Sequence, residues 1–323
     1  MSLLRSNILS KALKLAAISS VLTLSLVHAD SPTSFRIGYQ KSSSLLTLLK
    51  SDSLFEKQLA AKGVDVRWVE FPAGPQLLEG LNVGSIDFGY VGEAPPIFAQ
   101  AAGANFVYVG HQTPAPKAEA ILVPKDSNIK KVADLKGKKI ALNKGSNVHY
   151  LLIKVLEKNG LKYSDVQPIF LAPADARAAF EKGSVDAWAI WDPFQAAAEI
   201  QIGAKELANG VGVVNNTNYF LASRTFAEKN PLIIKALFTA LSEQGVWVSK
   251  NKKAAAVALS PIQGLTPDVI ELSLTRYTHD VLPINAKILA DQQKIADVFY
   301  ELKLIPQPIV VKNAVIGSDA GGN

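Results

Sequence analysis

Gly145, Ser146 and Asn147 form a short polar knot between the apolar stretch "KIAL" and the amphipathic stretch "VHYLLIKVL". A serine placed there sits at the N-cap of a helix. The N–H groups of the first helical turn have no partner inside the helix, and with the helix dipole they make a site for an anion. About a hundred residues earlier, "IGYQKSSSLL" builds the same sequence of types, with Lys41 and Ser43 falling on Lys144 and Ser146 when Ile37 is aligned with Ile140. "GYVGEAPP" adds Gly92, whose bare backbone admits a ligand closely, and Pro95 at a helix start. Its Glu93 is an acid where an anion is expected. Three roles stay open for it: pairing with a lysine such as Lys41, meeting a cationic part of the ligand, or capping the helix. "WAIWDPF" supplies Trp191, able to pack on an alkyl or ring portion of a ligand, and Asp192, placed to orient a donor or to span two lobes. Trp188 reads as core.

Catalytic patterns are missing from the sequence. The histidines beyond the first 29 residues are His111, His149 and His279, and none has a two-histidine metal spacing. His149, in the turn after Ser146, is placed either to touch a ligand or to pack. There is no G-x-S-x-G, H-E-x-x-H or P-loop. The chain contains no cysteine, which excludes disulfides, thiolate metal sites, cysteine nucleophiles and a cysteine-linked lipid anchor. The reading is a binding protein without cofactor or metal, not an enzyme.

These residues need elements to hold them. Beyond residue 29, β-rich runs alternate with helical patterns: "SFRIGYQ", "VDVRWVEF" and "SIDFGYV", then "KKIALNK", "VQPIFLA" and "SVDAWAIW", each followed by a helix. That alternation predicts an α/β class with parallel sheet. "FPAGPQLLEGLNVGSIDFGYVGEAP" and "FLAPADARAAFEKGSVDAWAIWDPF" align at a constant offset of 99, matching Gly84 with Gly183, Asp87 with Asp186 and Glu93 with Asp192. The repeat predicts two similar lobes. "KAEAILVPKDSNI" leads into the second and "NYFLASRTFAEKNP" leads back, so two crossing strands form a hinge. Lobe 1 is expected over 30–118 and 216–323, the latter including a helical C-terminal third, and lobe 2 over 119–215. The ligand then belongs in the cleft at the carboxyl ends of the strands.

Residues 1–29 read as a secretory signal peptide, with Arg5, Lys11 and Lys14 ahead of "LAAISSVLTLSLV" and a small-residue site at "VHA". Removing them takes three of the 34 basic residues and leaves a net charge of +3 against 28 acids. With no block of basic residues, nucleic acid is not an expected partner. An exported, unanchored protein is retained most simply in a periplasm.

"RIGYQK", "WVEFPAGPQLLEGLNVGSIDFGYVGEAPPIFAQAAGANFVYVG", "VADLKGKKIALNKGSNVHYLL" and "PADARAAFEKGSVDAWAIWDPF" closely resemble the periplasmic aliphatic sulfonate-binding proteins. These are substrate-binding components of ABC importers, related to taurine- and nitrate-binding proteins. The resemblance covers essentially the whole chain after the leader. It implies a type II periplasmic-binding-protein fold, a monomer that captures alkanesulfonates, and an inner-membrane permease as partner. Taurine or nitrate is the alternative ligand. The pocket positions it implies are Gln40, the Gly92-Glu93-Ala94 turn, the Gly145-Ser146-Asn147 helix start and Trp191-Asp192, with Tyr219 of "NYFLA" a weaker candidate. Family members often carry Asp where this chain has Glu93, and the extra methylene would reshape the pocket.

Overall fold

A computed structural model describes residues 33–316, so the expected signal peptide lies outside the described residues. The first run of elements is β1 (Thr33–Tyr39), α1 (Ser44–Asp52), α2 (Leu54–Ala60), β2 (Val64–Glu70), α3 (Gly74–Asn82), β3 (Phe88–Gly92), α4 (Ala94–Ala101) and β4 (Phe106–His111). The second is β5 (Glu119–Val123), β6 (Lys139–Leu142), α5 (Asn147–Lys158), β7 (Gln167–Phe170), α6 (Pro173–Glu181), β8 (Ala187–Trp191), α7 (Phe194–Ile202) and β9 (Lys205–Asn209). The chain closes with β10 (Asn218–Ser223) and the helices α8 (Arg224–Lys229), α9 (Pro231–Lys250), α10 (Lys252–Gln263), α11 (Pro267–Thr275) and α12 (Ala286–Glu301). Among the described residues no helix is long and apolar enough to cross a membrane.

Two five-stranded sheets result, ordered β2-β1-β3-β10-β4 and β7-β6-β8-β5-β9. Three strands of each are parallel, as the βαβ pattern predicts. One strand in each, running against the other four, makes the sheets mixed. β10 lies antiparallel between β3 and β4, and β5 lies antiparallel between β8 and β9. The physical reason is where the chain crosses. A strand arriving directly from the hinge enters its sheet at the carboxyl end of the parallel strands and must run the opposite way. Asn218 therefore pairs with Gly92, the last residue of β3, and Glu119 pairs with Trp191, the last residue of β8. The strands expected to form the hinge thus belong to different sheets. The segments just outside them do the joining: Gln112 N–H donates to Asn218 O (2.9 Å), Ala115 N–H to Asn216 O (3.2 Å) and Gly210 N–H to Pro116 O (2.8 Å).

The repeat is visible in single hydrogen bonds. Asp87 Oδ2 accepts the Arg36 N–H at 2.8 Å and Asp186 Oδ2 accepts the Lys139 N–H at 2.8 Å. In return the Asp87 and Asp186 N–H groups donate to Arg36 O and Lys139 O at 2.7 and 2.8 Å. Gly84 and Gly183, three residues before each aspartate, have φ of +71° and +67°, a left-handed turn that glycine adopts without strain. Each aspartate thereby sets the register of a central strand against its neighbour.

Strand alternation divides the core of the first lobe. Phe88 and Phe220 face one side of the sheet, where Phe35 stacks on Phe226 at 4.7 Å and α1, α9 and α10 cover them. Val91, Tyr219 and Leu221 face the other side, in a cluster that runs on through α4, α12 and the second sheet.

Asp87 also holds the Arg36 guanidinium through two further bonds, at 2.9 and 2.6 Å, whereas Asp186 has only the backbone exchange. Asp87→Ala is therefore expected to cost about 2 kcal/mol and Asp186→Ala about 1 kcal/mol. Urea denaturation of both variants checks this; a larger loss for Asp186 would reverse the assignment of the stronger clamp.

Candidate functional site

The polar knots that open the sequence repeat form one kind of turn. Ser43 N–H donates to Gln40 O and Ser146 N–H to Asn143 O, at 2.9 and 3.3 Å. Both serines occupy N-cap positions, of α1 and α5, but neither caps. Ser43 Oγ accepts from Gln40 N–H (3.2 Å) and Ser146 Oγ donates to Asn143 O (2.6 Å). The hydroxyl expected to cap α5 is turned back into its own loop, which leaves the first N–H groups of the helix uncapped. The starts of α3 and α4 likewise carry no side-chain cap.

These four helix starts meet in one cleft. Gln40 and Ser42 come from the knot before α1, Gly74 from the start of α3, Gly92 and Pro95 from the turn into α4, and Ser146 and Asn147 from the start of α5. Trp191, Asn216, Asn218 and Tyr277 complete the lining. No charged side chain is among these residues. The cavity volume is about 20 Å³, the room of about one water. Asn147 accounts for the tight closure. A Cβ on Gly92 would stand 1.9 Å from Asn147 Oδ1, so only glycine admits the amide at that distance. Oδ1 accepts the Ala94 N–H at 3.5 Å, and Nδ2 donates to Asn216 Oδ1.

Of the nine positions implied from sequence, Gln40, Gly92, Ser146, Asn147 and Trp191 line this cleft. Gln40 spends one amide hydrogen on Tyr90 O at 2.9 Å. Ala94 contributes only its N–H, and its side chain is buried. Gly145 backs onto Phe98 and donates its N–H to His149 Nδ1 at 3.3 Å. Asp192 is withdrawn and fully buried, accepting the Ala196 N–H (3.0 Å) at the start of α7 and the Arg276 guanidinium (3.1 Å). Arg276 follows α11, so this pair ties the second sheet to the C-terminal helices. Burial pushes the Asp192 carboxyl up to about 7 against the pull of Arg276. Neither lysine of the repeat reaches the cleft: Lys41 Nζ donates to Gln263 O, and Lys144 Nζ lies over the Phe170 ring. Tyr219 faces away and packs edge-on against Tyr108 at 5.0 Å, and by strand alternation its neighbour Asn218 takes the cleft position. His149 packs. Its Nδ1 accepts from Gly145, so Nε2 carries the hydrogen toward Tyr163 Oη at 2.8 Å. Its ring lies among Phe98, Phe170 and Phe299, and burial holds its pKa down at about 4.

Asn216, Asn218, Gly74 and Tyr277 are the lining residues that sequence reasoning missed. "VVNNTNYF" carried a signal, three asparagines at the end of a crossing segment. Tyr277 carried none, because it arrives from the helical third by tertiary packing alone.

Glu93 neither pairs with a lysine nor caps the helix, and it is not among the residues that line the cleft. Its backbone is helical at φ −73° and ψ −32°, its side chain does not cap, and its Oε2 accepts the Thr217 N–H at 2.7 Å. It is a bolt on the crossing segment. Glu119 is buried nearby with both carboxylate oxygens unpartnered. Burial, and secondarily the charge of Glu93, hold Glu119 well above the usual carboxylate range. Burial pushes Glu93 from its ordinary 4.5 to about 7, against the Thr217 and Asn216 N–H groups that favour its charged form. Between those pH values the folded state holds a proton that the unfolded state has lost, so this group's contribution to stability falls as pH rises through the window. Glu93→Gln keeps an acceptor for Thr217 and removes the titration. The variant's gain in Tm over the unaltered chain is expected to grow from pH 5 to pH 8; a gain independent of pH would show that Glu93 does not titrate there.

Comparison with known proteins places this geometry in a family. The family model described as NMT1/THI5 like matches residues 59–255. An aliphatic sulfonates-binding protein of Escherichia coli strain K12 is 47% identical over 304 residues, covering 94% of this chain and 95% of that one. The structure of the alkanesulfonate-binding protein SsuA from Xanthomonas axonopodis pv. citri, bound to MOPS, superposes with a TM-score of 0.83 at 45% identity, over 89% of this chain and 99% of that one. That of the periplasmic aliphatic sulphonate binding protein SsuA from Escherichia coli gives 0.80 at 47% identity, over 88% and 98%. The chain belongs to the NMT1/THI5-like family and, within it, to the aliphatic sulfonate-binding proteins.

Proposed function

We propose that this protein captures aliphatic sulfonates in the cleft between two lobes, residues 30–118 with 216–323 and residues 119–215, and delivers them to an ABC-type import permease. It works in the periplasm as a monomer and leaves its ligand chemically unchanged. The observation that carries the reading is the convergence of four uncapped helix starts on a cleft without a charged side chain. A sulfonate is a monoanion with acceptors only, and donors are what this cleft offers: backbone N–H groups, the second amide hydrogens of Gln40 and Asn147, and the hydroxyl of Ser42. Asn147 Oδ1 already stands at the Ala94 N–H as a sulfonate oxygen would. Since the closed cavity is about 20 Å³, the lobes part to admit the ligand and shut again around it.

The same chemistry ranks the alternatives. Taurine carries an ammonium group that wants a carboxylate, and the nearby ones, Glu93 and Asp192, are committed to Thr217 and Arg276. Nitrate has no tail for Trp191. A phosphate dianion finds no cation in the lining, and its protonated form needs an acceptor.

Thermal shift with methane- and butanesulfonate, taurine, nitrate, sulfate and phosphate tests this. Ligand at 100 times its Kd stabilises by about 2.7 kcal/mol, which at roughly 2–4 °C per kcal/mol raises Tm by several degrees. The alkanesulfonates are expected to give that shift, and mass spectrometry is expected to recover them unaltered. A large shift with nitrate and none with either alkanesulfonate overturns the proposal. Trp191→Ala is expected to weaken butanesulfonate about tenfold more than methanesulfonate, read by calorimetric titration; equal losses would give Trp191 a purely structural role.

A further inference from the structure

Beside the cleft lies a second cavity, and the two share Ser42 and Tyr277 as wall residues. Leu46, Tyr90, Phe220, Gln112 and His279 are among its other lining residues. Its volume is about 10 Å³, which suits one water-sized group. The lining is mixed, with Leu45, Leu46 and Phe220 beside three serines, Gln112 and His279. Gln112 Oε1 is taken up by the Tyr90 hydroxyl. His279 is not: it is 3% exposed, and both ring nitrogens lack a hydrogen-bond partner. Two unpaired polar atoms on one buried ring are costly unless something meets them. Its backbone holds φ at +60°, uncommon for a residue other than glycine, so the ring is kept here against local preference.

We propose that this cavity is the tail subsite of the ligand cleft, and that it selects sulfonates whose short tail ends in a hydroxyl. The inference rests on the sulfonate reading above and names the ligand class within it. With the sulfonate group at the helix starts, the tail passes between Ser42 and Tyr277, and its terminal hydroxyl is the one water-sized group that enters the cavity and meets the imidazole. A neutral imidazole has one donor and one acceptor, and a hydroxyl can serve either. Burial, with Lys252 adding to it, holds the His279 pKa down at about 4, so the ring is neutral at neutral pH. A terminal ammonium would lose hydration without gaining a carboxylate, and a terminal methyl would leave both ring nitrogens unpaired.

The test is calorimetric titration with methanesulfonate, with ethane- and propanesulfonate, and with their ω-hydroxy counterparts. At least one hydroxyl-bearing ligand is expected to bind about tenfold tighter than its alkyl parent. In His279→Ala that ratio is expected to fall to within about threefold. Equal affinity of both hydroxy ligands and their parents in the unaltered protein overturns the inference, as does a preference that survives His279→Ala. Methanesulfonate has no tail, so its binding reports on the sulfonate reading alone; if it and every other sulfonate fail to bind, that reading falls and the subsite with it. Should His279→Ala not fold, NMR of the unaltered protein decides. One histidine ring signal is expected to move with the preferred hydroxy ligand and stay with its alkyl parent; movement with both, or with neither, overturns the subsite.

Discussion

Backbone N–H groups at the start of a helix must donate to something, and in this protein four helices begin at one place with no side-chain cap to receive them. The arrangement follows from the βαβ pattern. Every parallel strand ends at the same edge of its sheet, each following helix starts there, and the two sheets turn those edges toward each other. Ser43 and Ser146 could have capped two of the four, yet both hydroxyls close their own turns instead. The shortage of acceptors is therefore built into the loops. An acceptor must come from the opposite lobe, as Asn147 Oδ1 does for Ala94, or from a ligand. On the proposed reading closure and binding use the same donors, and a small anion would hold the two lobes together.

The hinge keeps those donors in position. Glu93 begins the turn into α4 and is fastened to Thr217 on the returning segment, while its own carbonyl accepts from Gln292 of α12 at 2.6 Å. The start of α4 is thus tied to the crossing segment and to the C-terminal helices together. A carboxyl kept in so buried a place, close to Glu119, costs stability when it ionises. In exchange it fixes a backbone N–H that the antiparallel entry of β10 leaves without a strand partner. Asp192, its counterpart in the repeat, makes the equivalent kind of tie from the second lobe, to Arg276 after α11.

What could be read from the sequence follows this division. Local chemistry was legible: the knots at Gln40–Ser43 and Asn143–Ser146, and the aspartates 87 and 186 that clamp equivalent strands, because residue type and spacing act there within one βαβ unit. The cleft positions of Gln40, Gly92, Ser146, Asn147 and Trp191 follow from the rule that strand ends face the ligand. Side-chain direction was not legible. Glu93 and Asp192 stand at strand ends like their neighbours, but each turns toward a partner more than eighty residues away, Thr217 in one case and Arg276 in the other. No periodicity encodes such a partner. The mixed sheet was missed for a related reason: strand direction at the hinge is set by where the chain crosses, and a single strand's composition is silent about that.

The repeat makes the two lobes alike in their donors and leaves them unlike in everything else. The second lobe brings Ser146, Asn147 and Trp191, a lid of one polar helix start and one ring. The first lobe carries the C-terminal helices, and with them Tyr277 and His279, residues with no counterpart in the repeat. On the proposed reading, recognition of the anion is the duplicated function, since both halves inherit the strand, the turn and the uncapped helix. Discrimination among tails, on the same reading, falls to side chains that the repeat does not share, Trp191 in one lobe and Tyr277 with His279 in the other. A change at the helix starts would alter affinity for every anion alike, whereas a change around Tyr277 could alter which organic group is accepted and leave the donors of both lobes intact.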